Sequence, residues 1–405
     1  MANVLMIWEQ GSGLGHLTSM LPIAESLKAN GHLVWLGLKD FSKVHKVIEH
    51  EAFHFVACPA TSGRIKHHFL RAATFSHILH NVGFGDYEIL RNLISVWHST
   101  FQFLQPDLII TDHSPVAMLA ARSYGIKNIT LGTGFSCPGD SCPYPDWRPE
   151  ERNNKDQLIA DEYFVLENAN RLLGHYKTKQ LDKLSDLYGQ VEPLLITYPE
   201  LDPFPERRNQ EYLGILPSKE GIEPKWPGTD QTRAFAYLRP LRGIEVLLKI
   251  LVARKISTIV RMPGAPQQLR TKFPSLIWED NFVDLSIAAS KANFCIGHGT
   301  HMMTSQWLLA GKPVLMIPPY LEQSLTAQRV VAMGAGLASS LKLPKHLLRT
   351  ADEFLANRKR FQAGAEKFKQ RYAHKSPKAS LVTAIAKISA TLARETDRKT
   401  LKVSQ

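Results

Sequence analysis

Residues 293–336 of this 405-residue chain combine a strand, a glycine-containing turn and the start of a helix. The apolar run 293–296 leads into the turn 297–299, and residues 300–309 carry apolar side chains at a helix-like spacing. The first turn of a helix has unpaired N–H groups and the positive end of the helix dipole. The order of strand, turn and helix is therefore typical of a site that binds an anion.

A second polar feature follows in the same stretch. Gly-Lys-Pro at 311–313 ends the predicted helix, and residues 314–317 are predicted to form a buried parallel strand. Glu322 and Gln323 come after its carboxyl end, which is where open α/β sheets bind their ligands.

The start of the chain has a similar order of elements. An apolar strand is predicted at 3–8, a helix at 17–30 and a second strand at 32–38. The loop between the first strand and the helix is rich in glycine, at Gly11, Gly13 and Gly15.

This loop leaves a dinucleotide-binding site open as an alternative. The G-x-G-x-x-G fingerprint needs a third glycine for close helix packing, and His16 stands at that position. Asp40, just beyond the second predicted strand, is the acid that such a site would use.

Residues 298–323 read HGTHMMTSQWLLAGKPVLMIPPYLEQ. Without a gap, they resemble HGGxGTxxEALxxGxPxLxxPxxxEQ, the donor signature of nucleotide-sugar glycosyltransferases with two Rossmann-like domains (GT-B, glycosyltransferase family 1). The resemblance implies a nucleoside diphosphate sugar as co-substrate, with no further cofactor and no metal ion. The sequence departs from the signature at Thr300, Met302, Met303 and Gln306.

Two further segments resemble the same family. GLGHLTSMLPIAESLKANGHLV resembles its opening, GHxxPxxxLAxxLxxxGHxV, which implies that His16 is the catalytic base. QPDLIITDHSPVAMLAARSYGIKNITLG resembles a segment whose aspartate pairs with that histidine, here Asp112. Both residues follow strands of one predicted parallel sheet, so they can meet although 96 positions separate them. An imidazole with a pKa near 6.5 is suited to accept a hydroxyl proton.

Other roles for this region stay open. Asp112 precedes a helix predicted to begin at Ser114-Pro115, so its carboxylate could cap that helix instead. His113 is a second candidate for the base.

The resemblance also implies a set of donor-binding residues in the second half of the chain. Backbone groups of Phe282 and Val283 would recognise the base, His298 would donate to a phosphate oxygen, and Glu322 and Gln323 would hold sugar hydroxyls. The remaining donor-binding positions are Gly299, Thr300, His301, Met302 and Gln306.

Length and alternation of elements predict an α/β protein with two domains. The resemblance implies two Rossmann-like domains facing each other across a cleft, the GT-B fold. The predicted divisions are an acceptor-binding domain at 1–213, a linker at 214–231, a donor-binding domain at 232–385 and a basic segment at 386–405. In enzymes of this family such a C-terminal segment packs back on the first domain.

The net charge of +12 is concentrated at the end of the chain. Residues 351–405 contain thirteen Lys and Arg against five Asp and Glu, a surface that can stay solvated or dock on anionic lipid. No zinc-type or aromatic-interleaved motif accompanies it, so nucleic acid is not an expected partner. The four cysteines have no CxxC spacing, no apolar run reaches about 18 residues, and we expect a cytoplasmic protein.

The sequence thus predicts an inverting, metal-independent glycosyltransferase that moves a sugar from a UDP- or dTDP-sugar to an acceptor hydroxyl. Residues 41–105, predicted to be helical or irregular, are rich in aromatic side chains and indicate a partly apolar small-molecule or lipid-linked acceptor, although core packing explains them as well. A nucleotide-sugar epimerase and a non-catalytic nucleotide-sugar binding protein remain the alternatives.

Overall fold

The computed structural model describes residues 1–11, 14–49, 51–61, 63, 65–204, 207, 210–218, 221–227 and 232–403, with side chains as far as residue 395. The chain divides into two compact units. The first comprises residues 1–196, 204–218 and 377–405, and the second comprises residues 197–203 and 219–376.

The first unit is built on a six-stranded parallel sheet with the order β3-β2-β1-β4-β5-β6. Its strands are β1 (Asn3–Trp8), β2 (Leu33–Leu38), β3 (His54–Ala57), β4 (Leu108–Asp112), β5 (Asn128–Gly132) and β6 (Leu194–Leu195). The central strands are near-continuous apolar runs because parallel sheets are covered on both faces. Residues of β1 and β4 are almost fully buried as a result.

The helices of the first unit are α1 (Gly15–Ala29), α2 (Phe75–Leu79), α3 (Tyr87–Leu104), α4 (Pro115–Tyr124), α5 (Lys155–His175) and α13 (Pro377–Val403), with a π-helical turn at His80–Phe84. Short 3-10 turns lie at Val44–Lys46, Pro149–Glu151 and Leu184–Leu187. Apolar residues of α1 and α13 pack in one core with the side chains of β1 and β2.

The second unit repeats the same topology, with the strand order β12-β11-β10-β7-β8-β9. Its strands are β7 (Arg233–Tyr237), β8 (Ser257–Arg261), β9 (Ile277–Glu279), β10 (Phe294–Gly297), β11 (Val314–Met316) and β12 (Gly336–Ala338). Its helices are α6 (Ile244–Ala253), α7 (Gln267–Lys272), α8 (Leu285–Lys291), α9 (His301–Leu309), α10 (Leu321–Ala332), α11 (Pro344–Ala356) and α12 (Arg358–Arg371). A 3-10 turn at Pro199–Leu201 also belongs to this unit.

Residues 197–203 group with the second unit, although the predicted first domain runs to residue 213. The ring of Tyr198 lies 5.0 Å from that of Phe368 and 4.5 Å from that of Tyr372. β6 before it is correspondingly short, and only Leu194–Leu195 pairs with β5.

The whole C-terminal helix α13, from its first residue, belongs to the first unit. The predicted domain boundary at residue 386 falls inside α13, which begins at Pro377. Ala384, Ile388 and Leu392, spaced by four residues, are buried in the core of the first unit. The helix is therefore a structural part of that unit over its described side chains.

The predicted linker contains a segment that pairs with a loop of the second unit. Ile222 forms a parallel bridge with Val283, and its N–H donates to the carbonyl of Phe282 at 2.7 Å. A side chain at Gly221 would come within 2.5 Å of the Val283 backbone, so only glycine fits there. Residues 219–220 and 228–231 of the predicted linker lie outside the described residues.

Over the part of the chain that the structure describes, no helix combines the length and the apolar character needed to cross a membrane.

Glu9 joins three elements of the first unit at the end of β1. Its buried carboxylate accepts the N–H groups of Val116 and Ala117, both at 3.1 Å, and the indole N–H of Trp97 at 2.6 Å. It thus caps the first turn of α4, the role that the sequence had left open for Asp112. Burial raises the pKa of Glu9 from 4.5 to about 7 despite these hydrogen bonds.

The raised pKa makes the stability depend on pH in a defined direction. Because Glu9 ionises less readily in the folded state, its contribution to the free energy of unfolding is fully present below about pH 4.5. This contribution is lost as the pH rises to about 7. Relative to Glu9→Gln, which cannot ionise, we expect the free energy of unfolding of the wild type to fall by roughly 3 kcal/mol over this window. Urea unfolding at about pH 5 and about pH 8 measures the change.

The exposed Glu49 offers a matched control, because Glu49→Gln removes the same charge from the surface of the same unit. If the difference in the free energy of unfolding between the wild type and Glu9→Gln is the same at about pH 5 and about pH 8, the assigned environment of Glu9 is wrong.

Candidate active site

His16 and Asp112 meet at one edge of the first sheet. His16 is the second residue of α1, and Asp112 is the last residue of β4, which pairs with β1. The Nδ1 atom of His16 lies 2.9 Å from Oδ2 of Asp112. The order of strands reverses between β1 and β4, and this is the point where open α/β sheets bind ligands. The structure thus brings together the two side chains that the sequence pairs.

Trp8 and Gly11 hold the imidazole of His16 in place. The rings of Trp8 and His16 are stacked, with centroids 5.6 Å apart and an angle of 19°. Gly11 has a φ of +91°, and a Cβ there would come within 2.4 Å of Nε2 of His16. The His16 side chain remains 17% exposed, whereas that of Asp112 is 4% exposed. A carboxylate so deeply buried can orient the ring while the imidazole keeps contact with solvent.

His113 does not replace His16 in this pair. It is buried with a φ of +47°, and its ring centroid lies 6.1 Å from that of His16. Burial, and secondarily the nearby charge of His16, lowers the pKa of His113 to about 3. His113 therefore stays neutral near pH 7 and packs edge-on against Phe135.

The other loop glycines play smaller parts. Gly15 is the first residue of α1, and no described heavy atom lies within 4 Å of a Cβ built on it. Gly13 lies outside the described residues.

In the second unit, the strand, turn and helix predicted around residue 298 are present as β10, Gly297–Gly299 and α9. Gly299 has a φ of +79°, and a Cβ there would lie 2.9 Å from the carbonyl oxygen of Gln323. The glycine is thus required both by its backbone conformation and by the close approach of α10. Thr300 precedes the first turn of α9, and its side chain makes no capping hydrogen bond.

His298 is bonded differently from its predicted role. Its Nε2 accepts the N–H of Arg239 at 2.8 Å, and its Nδ1 lies 3.1 Å from the carbonyl oxygen of Ile317, to which it donates. Both nitrogens of the neutral ring are therefore taken by backbone groups, and no N–H is left for a phosphate oxygen. Burial lowers the pKa of His298, which favours this neutral form. The role of phosphate donor is corrected to one of holding the turn.

His301 opens α9 and is also engaged. Its Nε2 lies 2.7 Å from Oγ1 of Thr197, and desolvation lowers its pKa to about 4. Met302 and Gln306 are half-buried on the same helix. The first turn of α9 can therefore offer backbone N–H groups, while the His301 side chain remains neutral.

The two polar residues after β11 lie in the first turn of α10. Glu322 is half-buried, and Gln323 is 8% exposed. The Oε1 atom of Gln323 has no hydrogen-bond partner among the described residues. An unsatisfied buried amide oxygen beside Gly299 is suited to accept a hydrogen bond from a ligand.

The loop predicted to bind a nucleotide base is only partly available. The carbonyl of Phe282 already accepts the N–H of Ile222, and recognition of a base by the other backbone groups of Phe282 stays a prediction. The N–H and C=O of Val283 point away from that bridge, because adjacent peptide groups of an extended chain face opposite sides. The Phe282 ring is 39% exposed and lies 5.5 Å from the guanidinium of Arg261.

Sequence reasoning missed three residues of these two edges, namely Trp8, Glu9 and Arg239. Trp8 ends β1, Glu9 directly follows it, and Arg239 is the second residue after β7, so their position at a strand end was the available signal. For metal ions, no group of three or more His, Cys, Asp or Glu residues within the described ranges could hold one.

No protein-family profile matches the chain. A rhamnosyltransferase of PGL/p-HBAD biosynthesis from Mycobacterium bovis is 25% identical over 300 residues. The match covers 67% of this chain and 65% of that protein, and the equally named proteins of two Mycobacterium tuberculosis strains match to the same extent. The match thus spans slightly less than two thirds of the curated relatives.

Solved structures show the fold over almost the whole chain. The glycosyltransferase VinC in complex with dTDP has a TM-score of 0.67 at 17% identity, covering 97% of this chain and 100% of that one. The calicheamicin glycosyltransferase CalG4 has a TM-score of 0.71 at 15% identity, covering 97% and 98%. The spinosyn rhamnosyltransferase SpnG complexed with thymidine diphosphate has a TM-score of 0.66 at 14% identity, covering 95% and 100%. The chain has the GT-B fold of these glycosyltransferases, so the predicted fold class is confirmed.

The two loop glycines should respond differently to the same substitution. Gly11→Ala forces a side chain into the left-handed region and against His16, and we expect it to lower the free energy of unfolding by about 1–2 kcal/mol. Gly15→Ala adds the same methyl group at an open helix position and should leave stability unchanged or raise it by up to about 1 kcal/mol. Urea unfolding of both variants tests this, and equal effects would refute the assigned conformation of Gly11.

Proposed function

We propose that the protein is an inverting glycosyltransferase that moves a sugar from a nucleoside diphosphate sugar to an acceptor hydroxyl. The observation that carries the proposal is the 2.9 Å contact between His16 and Asp112 at the strand-order reversal of the first sheet. A partly exposed imidazole with a buried carboxylate on its other nitrogen is an arrangement for removing a proton from a hydroxyl group.

In the proposed reaction, Nε2 of His16 accepts the proton of the acceptor hydroxyl. The carboxylate of Asp112 accepts a hydrogen bond from the Nδ1–H of His16, keeps the ring in the tautomer that can act as a base, and stabilises the imidazolium that forms. The acceptor oxygen attacks the anomeric carbon as the bond from that carbon to the β-phosphate oxygen breaks. The electron pair leaves with the diphosphate, and attack from the opposite side inverts the anomeric configuration.

The donor would bind to the second unit. Backbone N–H groups from Gly299 to Met302 at the start of α9 would hold the diphosphate, together with the positive end of the helix dipole. This source of positive potential is the reason to propose a reaction without a metal ion. The N–H and C=O of Val283 would pair with the base, and Glu322 and Gln323 would bind sugar hydroxyls.

The donor nucleotide is proposed to be dTDP or UDP. Two of the similar solved structures contain thymidine diphosphate, and the curated relatives are named rhamnosyltransferases. dTDP- and UDP-linked 6-deoxyhexoses are therefore the first donors to test.

The acceptor is proposed to be a partly apolar small molecule or a lipid-linked one. The aromatic residues between 41 and 105 carry little of this proposal, because Phe75, Phe84, Trp97 and Phe101 are fully buried. Its support is that SpnG has been solved with the spinosyn aglycone and that the curated relatives act in PGL/p-HBAD biosynthesis. Contact of the basic C-terminal segment with a membrane surface stays a prediction.

Removing the base should abolish transfer without abolishing donor binding. We expect His16→Ala to lower kcat by about 10³-fold or more, and Asp112→Asn to lower it by a similar order because the ring loses its orienting acceptor. The affinity for dTDP or UDP, measured by calorimetry, should stay within about twofold, since neither residue belongs to the donor unit. Turnover is followed as nucleotide release that depends on acceptors from cell extract.

His113→Asn is the matched control, because it removes the neighbouring histidine while asparagine tolerates a left-handed backbone. Unchanged turnover in His16→Ala would remove the base assignment. An isomerised but intact donor would indicate an epimerase, and nucleotide-sugar binding without either reaction would indicate a binding protein.

A further inference from the structure

We propose that the guanidinium of Arg239 binds the β-phosphate of the donor and stabilises the charge of the leaving diphosphate. This inference rests on the proposed function and assigns a residue that the donor signature does not contain.

Arg239 lies where the strand order of the second sheet reverses. It is the second residue after β7, and β7 pairs with β10, which leads into the turn at His298. The N–H of Arg239 donates to Nε2 of His298 at 2.8 Å. The backbone bond fixes the point at which the arginine side chain leaves the sheet edge, beside the start of α9.

The charge of Arg239 is not neutralised by the described part of the protein. Among the described residues, none of the ion pairs or side-chain hydrogen bonds involves its guanidinium. The guanidinium lies over the ring of Tyr320, 5.9 Å from the ring centroid. A cation over an aromatic face is oriented without losing its charge, and the 53% exposure of Tyr320 leaves this edge open to solvent.

The positive charge acts on its surroundings, as His298 shows. Arg239 adds to the effect of burial in lowering the pKa of His298, whose ring accepts the Arg239 backbone N–H at 2.8 Å. An arginine that forms no ion pair with a carboxylate among the described residues is a site that favours an anion.

The reaction needs such a charge. When the bond from the anomeric carbon to the β-phosphate oxygen breaks, the diphosphate gains one further negative charge. His298 has no N–H left to offer, so the backbone amides of α9 would otherwise act alone. The planar guanidinium can donate two parallel N–H groups to phosphate oxygens, which is the geometry that suits a phosphate best. His298 then acts as a positioning residue, because it holds the Arg239 backbone.

The test compares nucleotides that differ by one phosphate. We expect Arg239→Gln to weaken dTDP binding by about tenfold or more in calorimetry, while the affinity for dTMP changes less than about twofold. Arg239→Lys keeps the charge but not the paired N–H groups, so its affinity for dTDP should lie between that of the wild type and that of Arg239→Gln. UDP and UMP form the second pair of probes.

Arg242→Gln is the matched control. Arg242 lies three positions further on in the same loop, is exposed, and carries the same charge. The Arg242→Gln variant should bind dTDP with the affinity of the wild type. This result would exclude a general effect of net charge on binding. Thermal unfolding of each variant confirms that the fold is kept.

The outcomes separate this inference from the proposed function. If the wild type binds dTDP or UDP and Arg239→Gln binds it equally well, the role of Arg239 is overturned and the glycosyltransferase proposal stands. An equal loss of dTDP and dTMP affinity would also overturn it, because it would indicate a structural role. A wild type that binds neither diphosphate would overturn both.

Discussion

The parallel pairing of β1 with β4 is the constraint on which the rest of the first unit depends. It sets Trp8 level with Asp112 in the strand register, so that α1, which follows β1, can turn His16 back onto the neighbouring strand. No local sequence signal could make this contact, because the partners are 96 positions apart. The sheet topology makes it, and the same edge carries the cap that Glu9 provides to α4. Two consecutive residues at the end of β1 thus have separate roles. Trp8 stacks on the imidazole of His16, and Glu9 caps α4, the helix that follows Asp112.

Alternation of apolar runs and turn residues was enough to predict most strands and the helices α1 and α9, whereas the pairing of His16 with Asp112 was predicted from the family resemblance. β3 was missed because its apolar run is short, with three residues in the sequence HFVA, and its residues are only half-buried or exposed. The segments that change unit could not be read from local patterns either. In the sequence, no feature separates Tyr198 from an ordinary strand residue. Its place in the second unit follows from ring contacts with Phe368 and Tyr372, which come about 170 residues later.

The departures from the donor signature have different physical meanings. Met303 is 2% exposed, and its methyl group fills the space above Gly297, where a Cβ would come within 2.0 Å of it. It is a core residue that seals α9 onto β10, so its replacement of a hydroxyl residue is a change of packing. His298 matches the signature yet has both ring nitrogens occupied, whereas Arg239, outside the signature, offers an uncompensated charge. Agreement with a motif therefore does not by itself give the role of a side chain, which depends on the hydrogen bonds that the side chain already makes.

The packing of α13, the last helix of the chain, in the core of the first unit affects how the protein folds during synthesis. Ala384, Ile388 and Leu392 of α13 belong to the core of the first unit. All strands of the sheet in this unit come from residues before 196. During synthesis on the ribosome, the amino-terminal sheet must wait for almost the entire chain before that core is filled. An apolar groove on the nascent sheet stays uncovered until then, and it is the surface on which a chaperone would be expected to act.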